Sequence, residues 1–154
     1  MSEEFKINSR RSAITIILYR TEHYFWKKRY CILLRAILLL SYLVKRILDL
    51  NAQISYKAEI GHNLKLPHAG NGVVVSEYAR IGNNVTIFQQ VTIGINEDYG
   101  ENEKEITIGD GSYIFSGAKI ISCKVGNNCK IGANAVCYKN IPDGKKVVSL
   151  NQII

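Results

Sequence analysis

Residues 75–94 read VSEYARIGNNVTIFQQVTIG, and an aliphatic side chain returns at every sixth position, Val75, Ile81, Ile87 and Ile93. A period of six fits neither an α-helical stripe, which returns near 3.6, nor a half-buried strand, which alternates at 2. It fits a chain that turns a corner every six residues, so that three short sides close one triangular coil. The aliphatic residue then points into a prism, and successive coils stack by parallel strand pairing. The rhythm extends in both directions. Ile54, Ile60 and Leu66 precede the stretch; Ile108, Ile114 and Ile120, then Val125, Ile131 and Cys137, follow it. Four places after the aliphatic position stand Ala58, Ala79, Val85, Val91, Ala118, Cys129 and Ala135. Glycine directly follows it at Gly61, Gly82, Gly94, Gly109, Gly126 and Gly132. Gly82-Asn83-Asn84, Gly109-Asp110-Gly111 and Gly126-Asn127-Asn128 suit sharp corners and positive φ. The chain is expected to be mainly β, with a solenoid over residues 51–148 and a short tail over 149–154.

Residues 1–50 have a different texture. All twelve glycines lie at or beyond Gly61, and Arg11 to Lys28 and Tyr30 to Leu50 read as helices. The first 50 residues hold ten Lys or Arg against four Asp or Glu, which is +6 of the net +7. The longest uncharged run, Ala36 to Val44, lies between Arg35 and Lys45. It is far short of the ~20 residues that span a bilayer as a helix. Two readings follow: the apolar face packs on the domain or a neighbouring subunit, or it lies on a membrane surface, where basic flanks favour anionic lipid.

The apolar fraction of 47% excludes a disordered chain. Cys31, Cys123, Cys129 and Cys137 form no CxxC or zinc spacing. No metal is implied, and reduced thiols without a signal peptide suit the cytoplasm. The basic residues interleave with apolar ones and form no nucleic-acid recognition motif, so a nucleic-acid partner is not expected.

Two steps break the rhythm. Leu66 to Val75 takes nine residues, which bulges out a loop holding His68. Ile93 to Ile108 takes fifteen and inserts the polar, acidic run Glu97 to Glu105. With Leu66-Pro67-His68-Ala69, Ser76-Glu77-Tyr78-Ala79, Val85 to Gly94, Lys130 to Val136 and Ile141-Pro142-Asp143-Gly144, the chain resembles the hexapeptide-repeat acyltransferases. Their serine acetyltransferase branch is the nearest likeness, together with its short relatives in polysaccharide gene clusters.

That resemblance implies a left-handed parallel β-helix with an N-terminal α-helical segment, a homotrimer with sites between subunits, and acetyl-CoA as co-substrate. It makes His68 the general base for an acceptor hydroxyl. An imidazole titrates near working pH, and a hydroxyl is a poor nucleophile without such help. It points to Gly94, Ser116, Gly117, Lys130 and Ala133 along the cofactor, and Lys139 could meet its phosphates. The chain departs from the family where Pro67 replaces an aspartate before the histidine and Glu105 stands at the place of a second histidine. Glu105 and Glu77 are the candidates to replace it. These departures favour a saccharide hydroxyl as acceptor over serine. An inactive scaffold is the remaining reading.

Overall fold

The computed structural model describes residues 9–96, 98 and 105–149. Residues 1–8, most of the acidic insertion and the tail beyond residue 149 lie outside the described residues. Among the described residues, helices α1 (Arg10–Lys27) and α2 (Cys31–Ile47) come first, followed by thirteen short strands. The strands are β1 (Gln53–Ile54), β2 (Glu59–Ile60), β3 (Val74–Val75), β4 (Ala79–Ile81), β5 (Thr86–Ile87), β6 (Thr92–Gly94) and β7 (Ile106–Ile108). They continue as β8 (Tyr113–Ile114), β9 (Lys119–Ile121), β10 (Lys124–Val125), β11 (Lys130–Ile131), β12 (Val136–Cys137) and β13 (Lys146–Val147).

All pairings are parallel and sort into three faces: β1-β3-β6-β9-β12, then β2-β4-β7-β10, then β5-β8-β11-β13. The chain visits first, second and third face in turn, making a left-handed parallel β-helix. Register places like residues above one another. Val75, Ile93, Ile120 and Cys137 stack on the first face. Ile60, Ile81, Ile108 and Val125 stack on the second, and Ile87, Ile114 and Ile131 on the third. Every inward residue of the six-residue rhythm is buried, as are the small residues four places on. Each buried aliphatic side chain contributes roughly 1.5–3 kcal/mol. Cys123, Cys129 and Cys137 belong to this core, and burial pushes the Cys123 thiol up to about 11.

The edge between second and third faces explains the glycines. The Oδ1 of Asn83, Asp110, Asn127 and Asp143 accepts from the backbone N–H of His62, Asn83, Asp110 and Asn127 in the coil before. These bonds measure 2.7–3.0 Å. A Cβ on Gly61, Gly82, Gly109 or Gly126 would collide with that ladder. The positive φ expected of these corners falls on the third residue of each, Asn84, Gly111 and Asn128, and also on Asn63 and Gly144. At Gly61, Gly82, Gly109 and Gly126 glycine is needed for space rather than for handedness.

Helix α1 is fastened to the first coil. Ser9 caps it by accepting from the Ser12 N–H, a bond of the kind that stabilises a helix start by about 1 kcal/mol. Tyr19 is buried and donates to the Ala58 carbonyl at 2.7 Å. Burial pushes its phenol up to about 12. Arg20 donates to the carbonyls of Ile60 and Gly61. Helix α2 packs on α1, and Lys45 pairs with the buried Glu22 at 3.2 Å.

Candidate functional site

The third edge, where the third face turns back to the first, collects the unusual chemistry. In its first turn the six-residue corner is expanded into a 3-10 turn at Pro67–Gly70. His68, Ala69 and Gly70 are all left-handed there, with φ of 54°, 62° and 64°. For His68 and Ala69 this conformation costs on the order of 1–2 kcal/mol each, so the surrounding structure must impose it. The braces are identifiable. The wholly buried Ser12 of α1 donates its hydroxyl to the Leu66 carbonyl at 2.7 Å. Pro67 is buried. The N–H of Gly72 donates to Asn51 Oδ1, and the N–H of Gln90 to the Asn71 carbonyl. The turn is pinned by α1 on one side and by the second coil on the other, while His68 itself is exposed.

Below His68 the edge carries an aromatic stack. The His68 ring lies 6.4 Å from Phe88, and Phe88 stacks on Phe115 at 5.3 Å. The next residues of the same corners are Gln89 and Gln90, Ser116 and Gly117, and Ala133 and Asn134. Backbone bonds tie these corners together, from Gly117 N–H to the Gln89 carbonyl and from Asn134 N–H to the Ser116 carbonyl. Gly117 has φ of 72° and no room for a Cβ beside Asn134 Oδ1. Among the described residues, Thr86 Oγ1 and Gln89 Oε1 are buried side-chain atoms without a hydrogen-bond partner. Buried polar groups are normally satisfied, so Gln89 Oε1 is an enclosed, unsatisfied atom on this edge.

One chain therefore brings His68, Ser116, Gly117 and Ala133 onto a single edge. Lys130 stands on the neighbouring third face, its ammonium 6.0 Å from the Tyr113 ring. Gly94 and Lys139 are elsewhere, at the ends of first-face strands β6 and β12. The two candidate acids also lie away from His68. Glu105 pairs with Arg80 at 3.2 Å and Lys124 at 3.1 Å, and Glu77 pairs with Lys57 at 2.5 Å. Both line a depression of about 420 Å³ beside the second face. Each carboxylate is thus already answered by a cation, and neither meets His68 within one chain. No group of three His, Cys, Asp or Glu able to hold a metal occurs among the described residues.

Ser12, Phe88, Phe115 and Gln89 were not singled out from the sequence. Phe88 and Phe115 had a usable signal, since each directly follows a third-face aliphatic residue, Ile87 or Ile114. Ser12 had none, because its partner carbonyl is 54 residues away.

No family model matches the chain. It is 36% identical over 133 residues to a serine acetyltransferase of Bacillus pumilus, covering 86% of this chain and 58% of that one. It is 35% identical over 134 residues to the serine acetyltransferase of Helicobacter pylori, covering 86% of this chain and 74% of the relative. Among solved structures, the serine acetyltransferase of Brucella abortus in complex with coenzyme A superposes with a TM-score of 0.74 at 28% identity. That match covers 88% of this chain and 52% of the other, so the chain spans about half the length of that structure.

Proposed function

The chain belongs to the serine acetyltransferase family, and on that premise we propose that it transfers the acetyl group of acetyl-CoA to a hydroxyl, with L-serine the leading acceptor. The observation that carries the reading is the placement of His68 on a strained, externally braced turn, on the same edge as the small residues Ser116, Gly117 and Ala133. His68 takes the proton of the acceptor hydroxyl as its oxygen attacks the thioester carbonyl carbon. The C–S bond then breaks, the imidazolium returns the proton to the departing thiolate, and an O-acetyl ester and free coenzyme A result. Such base assistance contributes typically 10²–10⁴-fold.

Acetyl-CoA fits the third edge because the small side chains of Ser116, Gly117 and Ala133 let an extended ligand lie against the backbone. Lys130 and Lys139 supply positive charge for phosphates. Glu77 and Glu105 do not meet His68 within one chain, so a role for either at the base would need a neighbouring copy, as in the homotrimer that the resemblance implies.

The relatives favour serine over the saccharide acceptor to which the departures from the family pattern point. A saccharide hydroxyl stays as the second reading on one specific ground: Glu105, at the second-histidine position, is held by Arg80 and Lys124. Coenzyme A release from acetyl-CoA, measured with L-serine and with a panel of nucleotide sugars and oligosaccharides, decides between them. Turnover with serine at an ordinary rate is expected. Turnover only with a saccharide would replace serine as acceptor, and turnover with none would leave the scaffold reading.

A further inference from the structure

Helix α2 is built the wrong way round for a helix packed only on its own domain. Of its 17 residues only Ser41 is fully buried. Ile32, Ala36, Leu39, Leu40, Leu43 and Ile47 recur at the spacing of one helical face, and all are exposed. Ile32 is 85% exposed, Ile47 80% and Leu39 63%. The stripe runs about 22 Å along the helix axis at 1.5 Å per residue. A continuous apolar face of this kind is a mark of an interaction surface.

Charge selects the occupant. Helix α2 contains no Asp or Glu, and Arg35 and Arg46 are exposed along one flank of the stripe. Lys27, Lys28 and Arg29 are exposed just before it. Glu22, the acid of α1, is buried and already paired with Lys45. A second copy of this face would therefore bring no anion to meet these cations. A surface with an apolar interior and anionic headgroups matches both features, with arginines reaching up beside an immersed aliphatic stripe. No helix among the described residues is long and apolar enough to cross a membrane, which suits a helix lying in the interface.

We propose that the exposed face of α2 docks the protein on anionic bilayers, with Ile32, Leu39, Leu40, Leu43 and Ile47 immersed and Arg35 and Arg46 at the headgroups. This does not rest on the acetyl-transfer reading.

The test is co-sedimentation of the full chain with vesicles of phosphatidylcholine alone and of phosphatidylcholine containing one quarter phosphatidylglycerol. An environment-sensitive fluorophore on Cys31 reports immersion; Cys31 is exposed and Cys123, Cys129 and Cys137 are buried, so labelling is selective. Binding to the anionic vesicles only, with a blue shift of the probe, is expected. Leu39→Asp with Leu43→Asp should abolish it. Arg35→Glu with Arg46→Glu should weaken it by more than tenfold, since each neutralised cation is worth about fivefold. If the aspartate pair does not fold, the arginine pair and a salt titration still decide. No binding to anionic vesicles, or equal binding to neutral ones, overturns the proposal. So does a halved mass of the aspartate variant in sedimentation equilibrium while vesicles leave the native chain in solution, which would assign the face to a second copy.

Discussion

The second and third edges of the prism are made from the same corner and end in opposite states. On the second edge each Asn or Asp side chain caps the coil before it, from His62 to Asp143. On the third edge the repeat is interrupted by a strained turn, aromatic rings replace the Asn/Asp ladder, and Gln89 Oε1 is left without a partner. An edge whose polar groups satisfy one another stabilises the coil and has little left to offer a ligand. An edge with half-buried rings, small residues and an exposed histidine is stabilised from outside itself, here by α1, and keeps its chemistry available.

Substitutions on the two edges should therefore separate stability from turnover. The largest stability effect belongs to the second edge. Gly109→Ala drives a Cβ into the backbone around Gly126 and Asn127. It should cost about 1–3 kcal/mol, read as a lower midpoint in urea, with kcat of the folded fraction retained. Phe88→Ala removes the ring between His68 and Phe115 and should do the reverse, lowering kcat by about tenfold or more through misplacement of His68 while acetyl-CoA affinity is largely kept. Equal losses of stability and unchanged kcat in both variants would erase the distinction.

Two smaller effects sharpen it. Ser12→Ala removes the buried hydroxyl that donates to the Leu66 carbonyl and should cost about 1 kcal/mol. If α1 braces the His68 turn, kcat falls as well, and Ser12→Thr restores part of it. The second effect is acid sensitivity of the second edge. Asp110 and Asp143 sit below the ordinary carboxyl value of 3.8 because they accept from the backbone and side chain of Asn83 and Asn127. They bind protons less readily folded than unfolded. Their contribution is complete above pH about 4 and is lost as pH falls through the lowered folded values. The thermal midpoint should decline more steeply below pH 4 in the native chain than in Asp110→Asn with Asp143→Asn; parallel curves would remove these carboxylates from the ladder.

The prism was legible because each inward position answers one local demand, burial every sixth residue. Both helices were legible from their unbroken apolar runs. The direction α2 faces was not, since an apolar face looks the same in sequence whether it is covered or bare. The placement of Glu77 and Glu105 was not legible either. After the fifteen-residue step from Ile93 to Ile108, and with Ile120 to Val125 closing in five, sequence spacing no longer tells which edge a residue occupies. His68 was legible as the centre of a bulge. Its left-handed backbone and its brace on Ser12 depend on long-range packing, which no short window contains.

The proposed acetyl transfer turns on the imidazole of His68 accepting a proton at the third edge. Single-turnover kinetics of His68→Ala, with acetyl-CoA affinity measured alongside, test this most directly. A fall of about 10²-fold or more in the acetyl-transfer rate, at unchanged fold and near-native acetyl-CoA affinity, is expected. A native rate in that variant would contradict it.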